Sequence, residues 1–206
     1  MFQRIRYKLN NHTSFFSIPT FKQQVGMTLL ELMTSIAITS ILTVIAVPNM
    51  GDLVVQLRVN DEISMLHRLL LITRNSSINS GERAIMCPLT SGGKCTTDWH
   101  KELSVFIDSN NNQSFDSASD EKIIVTKQAI KVGDFLLYGK GRTKVTYHPS
   151  GHLSGLSNGT FRYCPLNYKD KSRAIVVARS GRTYASSDID NDGKDETRMN
   201  KEIVCN

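Results

Sequence analysis

The chain has 206 residues, 25 of them basic and 19 acidic, for a formal net charge of +6. That length holds one folded domain plus an anchor. The excess charge excludes less than it suggests: residues 1–26 carry Arg4, Arg6, Lys8 and Lys22 with no acid, so the rest of the chain is nearly balanced, at 21 basic to 19 acidic.

The first 26 residues read as a basic leader, to be set aside before fold reasoning. Behind them, Leu32 to Gly51 contains no charged side chain. A helix of that length rises about 30 Å, the thickness of a bilayer core. An ordinary secretory signal would have a shorter apolar core followed by a small-residue cleavage site. Here the small residue, Gly26, lies before the apolar run, and the run continues into an amphipathic helix. One acid, Glu31, sits just inside the apolar segment, where an ionisable group needs a partner and a role. The basic leader ahead of the span predicts a cytoplasmic N-terminus and an exported C-terminal part.

Gly26-Met27-Thr28-Leu29-Leu30-Glu31 with this apolar run resembles a type IV prepilin. The resemblance implies that a prepilin peptidase removes residues 1–26 after Gly26 and methylates Met27, where Phe is the commoner residue. It makes Glu31 the acid that pairs with the N-terminal amine of a neighbouring subunit and aids methylation. It makes Pro48 the helix-loosening proline of pilins. The implied location is the bacterial inner membrane in a single pass, with the C-terminal domain periplasmic, then a pilus or pseudopilus.

Met27 to about Asn79 reads as one long helix: residues 27–51 its transmembrane half, 52–80 an amphipathic half. In the second half, Val55, Val59, Ile63, Leu66 and Leu70 recur at three- and four-residue spacing and predict a face packed on a globular domain. Arg58, Asp61, Glu62, Arg68 and Arg74 fall mostly off that stripe. Residues 81–206 read as a β domain. Short apolar or alternating runs fall at Glu82–Cys87, Leu103–Ile107, Ile123–Val125, Phe135–Tyr138, Lys144–His148, Phe161–Cys164 and Ala174–Ala178. Gly, Pro, Asn or Ser punctuates several of them, which argues for antiparallel sheet. The fold class is α+β and pilin-like, a long N-terminal helix packed on an antiparallel β domain.

The order Cys87-Pro88, Gly92-Gly93, Cys95, Trp99, then Val105-Phe106-Ile107-Asp108-Ser109-Asn110-Asn111-Asn112, is similar to the GspH/FimT family of minor pilins and pseudopilins. Asn158-Gly159-Thr160-Phe161 with Cys164, and the late Gly181-Arg182, continue the likeness. It implies an assembly subunit and not an enzyme, whose partners are other major and minor pilins or pseudopilins and, before assembly, membrane lipid. It implies no cofactor. In keeping with that, no nucleophile elbow, P-loop or dinucleotide fingerprint appears. His148 and His152 have Pro149 and Gly151 between them, which disfavours a helical metal pair. Trp99 reads as a core or rim anchor.

Four cysteines in an exported domain predict disulfides. Three connectivities are possible. A local Cys87–Cys95 bridge, with Gly92-Gly93 letting the ends meet, and a Cys164–Cys205 bridge pinning the C-terminal tail are favoured; pairing Cys87 or Cys95 with Cys164 is the alternative. From Gly139 to Tyr184 nine basic residues face one acid, Asp170. Such a stretch reads first as a solvated basic face or one that pairs with an acidic neighbouring subunit, and it also suits a polyanion. Some members of the resembled family bind double-stranded DNA through a Gly-Arg-x-Arg turn. Here that turn is Gly181-Arg182-Thr183-Tyr184, without the second arginine. The DNA-binding candidates are therefore Lys169, Lys171, Arg173, Arg179 and Arg182, with an acidic tail beyond them able to shield the face. Asp188-x-Asp190-x-Asp192-Gly193 has the first half of a calcium loop but Met199 at its twelfth position. Asp108-x-Asn110-x-Asn112 has Gln113 where glycine belongs. Asp/Asn-rich turns explain both, so no metal is expected.

Overall fold

The computed structural model describes residues 26–119 and 121–205. The leader reading for residues 1–25 lies outside them. The described residues fall into two units that divide after Ala46. One helix, α1, runs from Leu29 to Ser80. Eight strands follow: β1 Arg83–Pro88, β2 Leu103–Asp108, β3 Ile123–Lys127, β4 Phe135–Tyr138, β5 Val145–Tyr147, β6 Gly159–Cys164, β7 Arg173–Val177 and β8 Thr183–Ala185. They form two four-stranded sheets, ordered β3-β2-β1-β5 and β4-β6-β7-β8. Every pairing is antiparallel. The pilin-like α+β fold is thus the one expected from the sequence. The helix continues through Pro48 and Gly51, so the expected loosening does not end it.

The apolar stripe of the second half of α1 is the spine of the core. Val55, Val59, Ile63, Leu66 and Leu70 are all buried and join one cluster with residues from both sheets. Within it, Trp99 meets Tyr138 and Phe161 edge-on at 5.1 and 5.0 Å. Tyr138 and Phe161 stack at 3.8 Å. The Trp99 indole N–H donates to Arg142 O at 2.8 Å, so the buried ring's polar edge is satisfied. A second, smaller cluster of Ile85, Cys87 and Phe106, with Phe115 and Cys95 against it, holds the alternate residues of β1 and β2. Covered on both faces, β1 reads as a continuous apolar run instead of an alternation.

Two charged residues off the helix stripe are not solvated. Arg58 Nε lies 3.1 Å from Asp134 Oδ2. Glu62 pairs with Lys127, whose side chain is 5% exposed. Asp134 also accepts the Tyr163 hydroxyl and, at 2.8 Å, the Leu166 N–H. These pairs tie the helix to the residue before β4 and to the last residue of β3, with the remaining lone pairs of Asp134 used, as a buried charge requires. The disulfides are Cys87–Cys95 and Cys164–Cys205.

Candidate functional site

At the N-terminal end, the residues of the Gly26–Glu31 motif also build the helix start. Thr28 Oγ1 accepts the Glu31 N–H at 3.2 Å, and Thr28 O accepts the Leu32 N–H at 3.1 Å. Thr28 is therefore the N-cap and Glu31 the third helical residue, the spacing of a capping box. A carboxylate there faces the positive end of the helix dipole. Gly26 and Met27 precede the cap and are exposed. From Leu29 to Val47 the helix is long and apolar enough to cross a membrane, and its apolar side chains are exposed. Its hydroxyls turn back on the helix. Ser35 donates to Glu31 O and Ser40 to Ile36 O, both at 2.7 Å, and Thr43 to Thr39 O at 3.0 Å. Polar groups satisfied within the segment are what a lipid environment demands.

The second feature is the turn between β7 and β8. Gly181 has φ +78°, and an added Cβ would lie 1.9 Å from Gly151 O. Only glycine fits there. Gly151 O in turn accepts Arg74 Nε–H at 3.0 Å. This backbone contact places Arg182 in a groove of about 620 Å³ whose lining includes His67, Arg74, Tyr184 and Arg198 and, among the described residues, no acid. The Arg198 guanidinium lies 4.3 Å over the Tyr184 ring, a cation–π contact. Beneath this region, the Tyr147 phenol is pushed up to about 12, mostly by burial, with Arg74 opposing.

The five DNA-binding candidates do not form one patch. Arg182 lines the basic groove, and Arg179 belongs to the same turn. Arg173 has to be removed from the set. Its Nε donates to Asp195 at 2.8 Å, Nη1 to Asn60 at 2.6 Å and Nη2 to Ser186 O at 3.0 Å, so its donors are used inside the domain. Lys171 sits 3.4 Å from Asp170. Lys169 lines a different groove, beside Phe135, Leu166 and the Cys164–Cys205 bridge. The sequence reading missed Arg74 and Arg198. Arg74 lies more than a hundred residues before the turn, and Arg198 stands in an acidic segment, so neither is marked by its neighbours. The acidic tail does not line the basic groove: Asp195 holds Arg173, and Glu202 holds Lys194.

Asp188, Asp190, Asp192 and Glu196 bring carboxylate oxygens within 4.8 Å of one another. Each also accepts a backbone N–H: Gly193 on Asp188 at 3.0 Å, Asp192 on Asp190 at 3.2 Å, Lys194 on Asp192 at 2.8 Å and Ile189 on Glu196 at 2.9 Å. Those on Asp190 and Asp192 have the two-residue spacing of Asx turns, and those on Asp188 and Glu196 close the loop over five and seven residues. The Asp108 loop is similar: Asp108 accepts the Gln113 N–H at 3.2 Å, and Glu121 the N–H groups of Ser109 and Asp116 at 3.2 and 2.9 Å.

The sequence matches the model of the family described as type II transport protein GspH over residues 62–181. It matches the prokaryotic N-terminal methylation motif over residues 22–47. Comparison with curated proteins by sequence yields no match. Among solved structures, the type IV minor pilin FimU of Pseudomonas aeruginosa is similar at 16% identity and a TM-score of 0.50, over 63% of this chain and 88% of that one. The minor pseudopilin EpsH of the type 2 secretion system of Vibrio cholerae is similar at 14% identity and a TM-score of 0.44, over 62% and 95%. A family match across more than half of the chain, behind a methylation motif and on a pilin-like fold, shows that the chain belongs to the GspH family of pilin-like proteins.

Proposed function

We propose that the chain is a minor pilin of a type IV pilus. A prepilin peptidase cuts after Gly26 and methylates Met27. The apolar half of α1 anchors the subunit in the inner membrane, with the N-terminus cytoplasmic and the β domain periplasmic. It then packs among the helices of other pilins, at or near the fibre tip, where the subunit aids assembly. The observation that carries this reading is the capped Gly26–Glu31 start running into an apolar helix whose side chains are exposed. The test is a deletion strain with a restored copy as control. Surface pili disappear and return with complementation. Unchanged pilus numbers with lowered exoprotein would instead make the chain a minor pseudopilin of a type II secretion system, a reading favoured by the description of the matching family.

The basic groove at the Gly181 turn supports a further role in DNA uptake, with Arg182 and Arg198 on phosphates and Tyr184 beside them. Charge reversal at Arg182 and Arg198 is expected to weaken duplex binding by the purified protein. The slope of log affinity against log salt should fall by about one for each phosphate no longer neutralised. Absence of binding at low salt would end this part of the proposal.

A further inference from the structure

A second basic groove, with no acid among the described residues that line it, lies on another part of the β domain. It occupies about 410 Å³ between the 139–144 turn and the 154–157 loop, beside the edge strand β5. Arg83, Lys140, Arg142 and Lys144 line it, together with the hydroxyl side chains of Thr143 and Ser154.

Arg142 is held in place from three sides. Its carbonyl accepts the indole N–H of buried Trp99 at 2.8 Å. Its N–H donates to Gly139 O at 3.2 Å. Its stem folds over Gly139, whose φ is +27°; a Cβ there would come within 2.7 Å of Arg142 Cδ and Nε. The Arg142 backbone and the stem of its side chain are therefore positioned before any ligand arrives. Its Nη1 is shielded from solvent and has no hydrogen-bond partner among the described residues. Arg142 as a whole is partly exposed, but an unpaired buried N–H is costly, so the arrangement gains from an acceptor brought to this guanidinium.

Lys144, partly buried, is a second cation of the groove and differs from Arg142 in having a partner. Its Nζ donates to Gln113 O at 3.4 Å. Burial lowers its pKa, with Asp108 opposing. That carboxylate is itself fully buried and accepts the Gln113 N–H on both oxygens. Four cations thus line one concavity, and among the described residues its lining holds no carboxylate.

We propose that this groove is an oxyanion site that takes a phosphoryl group, as free phosphate or pyrophosphate or as the terminal phosphate of a larger molecule. A single carboxylate would balance one of the four cations. A phosphoryl group brings nearly two charges and three strong acceptor oxygens, which matches a guanidinium, flanking ammoniums and hydroxyl donors. The site shares no lining residue with the groove that holds Arg182, and it does not depend on the pilus reading.

The test uses the full chain in maltoside micelles, which carry no phosphate headgroups, titrated calorimetrically with pyrophosphate, phosphate and glycerol phosphate. Saturable one-to-one binding is expected. Arg142→Gln should weaken it about ten- to a hundredfold, and Arg182→Gln should leave it unchanged. Should Arg142→Gln fail to fold, the exposed Lys140→Gln serves in its place, with a smaller loss. Tight binding of the two inorganic anions alone identifies the free anion as ligand; equal binding of glycerol phosphate identifies a terminal phosphate. The proposal is overturned by any of three results: no saturable heat, equal affinity for citrate or an aspartate-rich peptide, or an Arg142-dependent affinity for DNA duplex with none for the phosphates.

Discussion

Arg173 and Glu31 illustrate how differently two charged side chains act in this chain. Arg173 joins α1, β7 and the acidic tail through Asn60, Ser186 and Asp195. Replacing it by Met would leave Asp195 without its cation. The loss is expected at about 1–3 kcal/mol, read from the urea midpoint of the purified protein; an unchanged midpoint would show that the network is idle. Glu31 stands at a helix start, where a carboxylate is favoured by the helix dipole. Glu31→Gln keeps a side chain able to cap and removes the charge. The variant is expected to be cleaved and to stay in membranes, but to vanish from the sheared fibre fraction on immunoblots. Wild-type levels in that fraction would reject an assembly role for the carboxylate.

At the scale of elements, the second half of α1 carries the domain. Leu70 is fully buried among residues of both sheets. Leu70→Ala is expected to cost about 2–5 kcal/mol, measured by denaturant unfolding. A loss below about 1 kcal/mol would mean that the helix is not the spine of the core. This element is legible in the sequence because its 3.6-residue period is local: the stripe Val55–Leu70 can be read without knowing what covers it. β4 is legible for a similar reason, since Phe135–Tyr138 is apolar between polar turns. β8 carries no such mark. Thr183-Tyr184-Ala185 has no alternation, and it is a strand because the tight Gly181 turn returns the chain onto β7. β7 also stops one residue short of its apolar run, at Val177, because Ala178 is taken into that turn through Gly181 N–H to Ala178 O at 2.8 Å.

The whole molecule buries three of its tyrosines deeply, and this sets its alkaline limit. Tyr138, Tyr147 and Tyr163 are each at most 4% exposed. Burial raises all three phenols above the ordinary value of 10, and the bond to Asp134 adds to it for Tyr163. Above pH 10 the unfolded chain loses these protons while the folded chain keeps them. Stability is therefore fully present below pH 10 and falls as pH rises, through about 12 for Tyr147. Urea unfolding at stepped alkaline pH should show this decline; a flat profile to about pH 11 would contradict it.

The anchor, the helix stripe, most strands and the family likeness are all written along the chain. Each is a pattern of near neighbours: an uncharged run, a period, a short motif. Which charges are free is settled only by folding. Arg173 belongs to a basic stretch in sequence yet spends its donors indoors, while Arg74 and Arg198 come from a helix and an acidic tail to join Arg182. Arg142 is set apart from other arginines by a glycine and a tryptophan that folding brings beneath it. Charge along a chain is additive, but its availability depends on desolvation and on partners distant in sequence, and those exist only once the two sheets have closed on the second half of the helix.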